Sequence, residues 1–90
     1  MNSSTKKSLT SDQIRAARAL IRWSAEDLAR SSSVGLTTIR RAELTIEETS
    51  LTAANNWAIR SALESAGVEF IDENGGGPGV RLRRPRKQKR

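Results

Sequence analysis

The chain has 90 residues, enough for one small domain, with a net charge of +6 and neither cysteine nor histidine. Disulfides cannot stabilise it, and the commonest metal ligands and general bases are missing, so we expect no enzyme activity, no catalytic residue, no metal and no cofactor. No apolar run approaches the roughly 20 residues that span a bilayer, so we expect a cytoplasmic protein that does not enter a membrane.

The first helix is predicted to begin at the segment TSDQ, residues 10–13, after a polar arm at residues 1–9. Thr10 followed three residues later by Gln13 is a capping box, which satisfies two backbone N–H groups at a helix start. Apolar residues then recur at i, i+3 and i+7, which predicts one buried face. These residues are Ile14, Ala17 and Ile21.

Three shorter helices are predicted to follow. Ser24 caps a second helix over residues 25–32, because serine is a favoured N-cap and two acidic residues follow it. After the turn SVG, a third helix covers residues 36–42. Thr52 caps a fourth helix that continues through about residue 66. Gly67 then provides the C-terminal stop.

Beyond residue 67 the apolar period changes from helical to alternating. The runs VEFI and VRLR flank the connection DENGGGPG, which predicts a β-hairpin over residues 67–84. The glycines could also suggest a phosphate-binding loop, but neither a GK[ST] sequence nor a helix follows them, so a hairpin turn is favoured. Because an isolated two-stranded ribbon is marginal in water, we expect Val68 and Phe70 to pack on the helices or a free edge to pair with another chain.

The end of the chain carries most of the positive charge. Residues 81–90 hold seven of the sixteen basic residues and no acidic one, so the rest has nine basic and ten acidic residues. Residues 85–90 are predicted to form a disordered basic tail that attracts polyanions. The side chains expected to contact phosphates are Arg84, Arg86, Lys87, Lys89 and Arg90.

Two charged residues interrupt apolar positions. Arg18 lies within the stripe of the first helix, and Glu43 falls on the apolar side of the third. Because buried charges are tolerated chiefly when they are paired, these positions predict a buried or half-buried ion pair. The alternative is that both side chains extend to the surface.

The segment SAEDLARSSSVGLTTIRRAE, residues 24–43, resembles the helix-turn-helix of the Cro and phage-repressor family, also called Xre-like regulators. Leu28 and Ala29 correspond to the inner face of the first motif helix, Val34 to the apolar residue of the turn, and Ile39 to the anchor of the second helix. Where many members have glycine in the turn, this chain has Ser33. The resemblance covers about residues 10–66.

The resemblance implies a mainly α fold, a compact lambda-repressor-like bundle that places the second motif helix in the DNA major groove. Taken together with the polar arm, the alternating runs and the basic end of the chain, it predicts a flexible arm (residues 1–9), a DNA-binding domain (10–66), a hairpin extension (67–84) and a disordered tail (85–90). It also implies an ion pair between an arginine of the first helix and a glutamate at the end of the recognition helix, which correspond here to Arg18 and Glu43.

The resemblance also assigns roles on the third helix. Leu36, Thr37 and Arg41 occupy positions similar to base-reading positions, and Thr38 and Arg40 are better placed for phosphates. Methyl groups suit the thymine methyl, and arginine suits guanine O6 and N7. The alternative is an ordinary polar helix face that happens to include one leucine.

Together these features favour a small transcriptional regulator, associated with the nucleoid, that reads an inverted repeat of double-stranded DNA as a homodimer. Two other functions stay open. One is a non-specific basic nucleic-acid-binding protein, although Trp23, Trp57 and Phe70 are expected to be structural, with Trp57 at the edge of the core, rather than base-stacking. The other is an antitoxin-like interaction module that binds a partner protein through the hairpin or the tail.

Overall fold

Four α-helices precede a two-stranded antiparallel hairpin in the computed structural model, which describes residues 8–46 and 51–84. The elements are α1 (Ser11–Ile21), α2 (Ala25–Ser32), α3 (Leu36–Leu44), α4 (Ala53–Ser65), β1 (Val68–Ile71) and β2 (Gly79–Leu82). The predicted mainly helical fold with a C-terminal hairpin is therefore confirmed, and α3 extends two residues beyond its predicted end. The predicted tail contacts Arg86, Lys87, Lys89 and Arg90 lie outside the described residues.

The start of α1 contains the predicted capping box. The hydroxyl of Thr10 accepts a hydrogen bond from the backbone N–H of Gln13 at 3.0 Å, and the backbone N–H of Thr10 donates to Gln13 Oε1 at 3.0 Å. Gln13 is buried, and its Nε2 also donates to the backbone carbonyl of Gly79 at 3.1 Å. One side chain therefore caps α1 and joins it to the first residue of β2.

The predicted arm is wrong at its last residue. Leu9 is 1% exposed and belongs to the core. Leu9 directly precedes the N-cap Thr10, and Ile14 is the fourth residue of α1. These are the two positions of a hydrophobic staple, in which an apolar residue before the cap packs on the first apolar residue of the helix. This spacing was a signal in the sequence that the prediction of a wholly polar arm missed.

One hydrophobic core joins all four helices to the hairpin. Its fully buried side chains include those of Ile14, Leu28, Ile39, Ile59, Leu63 and Val68. Burial of each such aliphatic side chain contributes about 1.5–3 kcal/mol to folding. Because Val68 and Phe70 of β1 are part of this core, the hairpin packs on the helices, as one of the two sequence-based alternatives predicted.

The register of the hairpin follows the predicted alternation. Phe70 pairs with Val80, and Glu69 pairs with Arg81, whose Nε donates to the Glu69 carboxylate at 3.0 Å. The bonding continues beyond the strands, because the backbone N–H of Arg83 donates to the carbonyl of Gly67 at 2.7 Å. Gly67 has a φ of 109°, a left-handed value that glycine adopts without steric cost, and it lets the chain turn from α4 into β1.

Two residues of α4 differ from expectation. Trp57 does not cover the core, because its side chain is 62% exposed. It lies two residues before the buried Ile59, which places it on nearly the opposite side of a helix with 3.6 residues per turn. Arg60 is 3% exposed and was not predicted to be buried; its Nε donates to Glu64 at 3.1 Å, and its guanidinium carbon lies 5.0 Å from the centre of the Phe70 ring.

Candidate nucleic-acid interface

The start of α2 is fixed by a second capping box. The hydroxyl of Ser24 accepts from the backbone N–H of Asp27 at 3.0 Å, and the backbone N–H of Ser24 donates to Asp27 Oδ2 at 2.9 Å. The sequence predicted Ser24 as the N-cap but not this reciprocal bond. The hydrogen bond from the Ser24 backbone, with smaller contributions from its hydroxyl and from Arg30, lowers the pKa of Asp27. The Asp27 side chain therefore loses its proton more readily, and its negative charge lies at the positive end of the helix.

The connection between α2 and α3 consists of residues 33–35. Ser33 takes the left-handed conformation, with φ 62° and ψ 23°, and its backbone N–H donates to the Ala29 carbonyl at 2.9 Å. A non-glycine residue pays a steric cost there, because its Cβ approaches the backbone. Val34 is 5% exposed, so the turn is anchored in the core by the residue that the sequence had assigned to this role. The backbone N–H of Val34 donates to the Ser32 hydroxyl at 3.2 Å.

The inner face of α3 is held by packing and not by a cap. Ile39 and Ala42 are buried in the core, and Glu43 is buried beside them. The N-cap residue of α3 is Gly35, which has no side chain to bond the first N–H groups. Consequently the orientation of α3 depends on its contacts with α1 and α2.

Arg18 and Glu43 form the ion pair that the sequence predicted. Arg18 Nε donates to Glu43 Oε2 at 2.7 Å, and Nη2 donates to Oε1 at 2.8 Å. The remaining terminal nitrogen, Nη1, donates to the Trp23 carbonyl at 2.9 Å. The hydrogen bond to Glu43, reinforced by its charge, raises the pKa of Arg18. Arg15 adds a bond from its Nη1 to the Glu43 backbone carbonyl at 2.6 Å, so two arginines of α1 contact the end of α3.

Four of the five predicted contact residues lie away from the inner face of α3, whereas Leu36, seven positions before the buried Glu43, lies at the edge of that face. The side chains of Thr37, Arg40 and Arg41 are exposed, and those of Leu36 and Thr38 are half-buried. All five lie on α3, and three of them are exposed to solvent. Leu36 is less exposed than the sequence-based assignment to a polar face implied.

Arg40 has a partner that the sequence analysis missed. Its Nη2 donates to Glu26 Oε2 at 2.9 Å, in a surface ion pair between α3 and the first turn of α2. The pKa of Glu26 is lowered, first by a hydrogen bond from its own backbone N–H and further by the charge of Arg40. Because the two residues are fourteen positions apart and on different helices, no local spacing pointed to this contact. The carboxylate neutralises one positive charge at the exposed face of α3.

The start of α4 lies beside the flank of α3. Thr38 and Arg41 line a depression of about 130 Å³ together with Leu51, Thr52 and Asn55, among others. Thr52 caps α4 as predicted, since its hydroxyl accepts from the backbone N–H of Asn55 at 3.1 Å. The positive end of the α4 dipole is therefore adjacent to the exposed side of α3, where it favours an anion.

Arg84 is not brought to this face. It lines a different surface depression with Ile21, Trp23 and Arg83, among others, at the C-terminal end of α1, and no lining residue of that depression belongs to α3. Where the structure describes the chain, no group of three or more His, Cys, Asp or Glu residues is placed to hold a metal ion, and no helix is long and apolar enough to cross a bilayer.

A scan against models of known protein families and a search of curated proteins found no significant match to this chain.

Proposed function

We propose that this chain is a sequence-specific DNA-binding regulator of the helix-turn-helix type, in which α3 enters the major groove. The observation that carries the proposal is the division of α3 into two faces. Ile39 and Glu43 hold the inner face against the other helices, and Thr37 and Arg41 are exposed on the outer face. Two short helices joined by a three-residue turn, with the second exposed along one side, are typical of this motif.

The chemistry of the outer face suits base readout. Arg41 carries a guanidinium that can bond guanine O6 and N7 in a bidentate way, and the methyl groups of Thr37 and Leu36 suit the thymine methyl. Thr38, with Arg40, is better suited to phosphate oxygens, which fix the register of a protein on the duplex. These are the roles that the resemblance to Xre-like regulators implied.

The anchoring of α3 supports the same proposal. A recognition helix must hold its side chains in one position relative to the bases, because a shift of about 1 Å removes a directional hydrogen bond. The two bonds between Arg18 and Glu43 fix the C-terminal end of α3, and Ile39 fixes its centre.

The balance of charge implies additional sources of affinity. Residues 10–66 contain seven basic and seven acidic residues, so this part of the chain attracts DNA only weakly. We therefore propose that a homodimer on an inverted repeat supplies a second recognition helix, and that the basic residues after position 84 add phosphate contacts.

Selection of bound sites from random duplex DNA, followed by titration at several salt concentrations, tests the proposal. We expect enrichment of a palindrome, and loss of that enrichment in a variant with both Thr37→Ala and Arg41→Ala. Binding without sequence preference and with a steep salt dependence would instead support a basic nucleic-acid-binding protein. Absence of DNA binding at low salt would contradict the proposal and leave the protein-interaction module as the better explanation.

A further inference from the structure

The C-terminal end of α3 is completed by side chains of another helix. A helix leaves the carbonyls of its last turn without partners inside the helix, and a left-handed residue after the helix often brings the missing donors. Here the C-cap residue Thr45 has an extended backbone instead, with φ -73° and ψ 139°. Its hydroxyl donates to the Arg41 carbonyl at 3.2 Å, and its backbone N–H donates to the Ala42 carbonyl at 3.4 Å. The carbonyls of Glu43 and of Thr45 itself accept hydrogen bonds from α1.

Two residues of α1 donate these hydrogen bonds. Arg15 Nη1 donates to the Glu43 carbonyl at 2.6 Å, and the hydroxyl of Ser11 donates to the Thr45 carbonyl. Ser11 and Arg15 are four positions apart, so they lie on the same side of α1, one turn from each other. Ser11 is only 2% exposed, so its bond forms away from bulk water, and the other terminal nitrogen of Arg15 bonds Asp12. The hydrogen bonds from Ser11 and Arg15 to α3 and its C-cap are named the α1 bonds.

The α1 bonds act on one half of α3. Val34 and Ile39 fix the turn before α3 and the centre of α3 in the core. Thr37 lies between these two anchors, whereas Arg41 lies beyond the second one. The last turn depends in addition on the ion pair of Glu43 and on the α1 bonds. Loss of the α1 bonds therefore loosens the part of α3 that carries Arg41 more than the part that carries Thr37.

We propose that Ser11 and Arg15 are positioning residues for the recognition helix, which set how selectively Arg41 reads its base pair without contacting the DNA themselves. This inference rests on the proposed function, because it assigns a consequence for base readout to a contact inside the protein. A hydrogen bond to a base edge weakens steeply with misalignment, whereas attraction to phosphates depends mainly on charge. Displacement of Arg41 therefore reduces discrimination between bases more than it reduces non-specific binding.

Amide hydrogen exchange of the full chain without DNA tests the contact itself. In Ser11→Ala the amides of residues 42–45 should exchange at least about threefold faster relative to those of α4, because local opening of the last turn becomes easier. Alanine is the best helix former, so α1 keeps its helix propensity. The matched control is Ser61→Ala, which removes a half-buried hydroxyl from α4 and should leave exchange in α3 unchanged. Unchanged exchange of residues 42–45 in Ser11→Ala would overturn the proposal.

Titration of the selected DNA site and of its single-base-pair variants tests the readout. Ser11→Ala and Arg15→Met should each reduce discrimination about three- to tenfold at the base pair that Arg41→Ala identifies. Discrimination at the base pair that Thr37→Ala identifies should change less than about twofold. Arg81→Met is the matched control for lost charge, since Arg81 is also an exposed arginine paired with a carboxylate. The salt slope of Arg15→Met should equal that of this control, and the salt slope of Ser11→Ala should equal that of the unchanged chain.

The two proposals can fail separately. A chain that selects a DNA site while Ser11→Ala and Arg15→Met discriminate as the unchanged chain does would retain the regulator and refute the positioning role. Equal loss of discrimination at every base pair would also refute it, and a salt slope that falls in Arg15→Met but not in Arg81→Met would show that Arg15 contacts a phosphate directly. A chain that selects no DNA site would refute the regulator and with it the readout, whereas hydrogen exchange would still decide whether the α1 bonds hold the end of α3.

Discussion

Arg18 on α1 holds Glu43 at the end of α3 through two parallel hydrogen bonds of 2.7 and 2.8 Å. The side chain of Glu43 is 9% exposed and that of Arg18 is 22% exposed, so the pair is largely removed from water. Replacing both members of such a pair with apolar groups is often tolerated, whereas removing one member leaves an uncompensated charge. The ion pair is therefore one of the contacts that couple the orientation of α3 to the first helix, beside the bond from Arg15 to the Glu43 carbonyl.

Arg18→Met should lower the free energy of unfolding by about 3 kcal/mol, because it leaves the Glu43 carboxylate without its partner in a low-dielectric site. Glu43→Gln should cost less, since an amide oxygen can still accept from Arg18. The double variant should cost clearly less than the sum of the two. Urea titrations of the four proteins measure these values, and additive losses of a few tenths of a kcal/mol would contradict a buried, coupled pair.

Arg41→Ala should weaken binding to a selected DNA site by about 1–3 kcal/mol and relax preference at one base pair, if Arg41 bonds a guanine. Thr37→Ala should relax preference at a neighbouring position. Thermal melting should hardly change, because both side chains are exposed and neither contributes to the core. The proposed readout by α3 is refuted if both variants bind the selected site as tightly and as selectively as the unchanged chain.

Glu26→Gln should strengthen DNA binding, because Glu26 now neutralises Arg40 at the exposed face of α3. Release of Arg40 to a phosphate should steepen the dependence of log K on log salt by about 0.9. Glu69→Gln is the matched control, since Glu69 is also in a surface ion pair, with Arg81 on the hairpin. Equal effects of the two substitutions would mean that only net charge matters and that Arg40 does not contact the duplex.

The capping box of α2 should make a pH-dependent contribution to stability. Folding lowers the pKa of Asp27 below its ordinary value of 3.8. The contribution is therefore fully present above about pH 3.8 and is lost as the pH falls through the lower value of the folded state. The difference in stability between the unchanged chain and Asp27→Asn should be constant near neutral pH and shrink below about pH 3.8. A difference that persists undiminished at about pH 2 would show that the charge is not responsible.

Deletion of residues 85–90 should weaken binding to specific and to scrambled duplexes by similar factors. The deleted segment contains four basic residues and no aromatic one, so it should contact phosphates without reading bases. The salt slope should fall by about 0.9 for each phosphate that the shortened chain no longer neutralises. Titration of both duplexes with and without the segment measures this, and a weakening confined to the specific site would show that the segment reads sequence.

The sequence by itself determined the helices and the hairpin. Thr10, Ser24 and Thr52 were identified as caps because a cap is a local hydrogen bond whose donor lies three residues along the chain. The alternation in VEFI and VRLR identified the strands for the same reason, since the side-chain period of a strand is a property of the local backbone. The pairing of Arg18 with Glu43 was predicted on two grounds: each charge interrupts an apolar stripe, and the resemblance to Xre-like regulators implies this pair.

Only the tertiary structure decided which of the other side chains are exposed, which are buried, and which distant residues they contact. Gln13 bonds the carbonyl of Gly79, sixty-six positions away, and Arg40 bonds Glu26 on another helix. Trp57 projects into solvent, whereas Arg60, three residues further, is buried against Phe70. These contacts depend on how the elements pack. Residues that packing brings into contact can be separated by any number of positions along the chain. Such contacts therefore have no characteristic spacing by which the sequence could predict them.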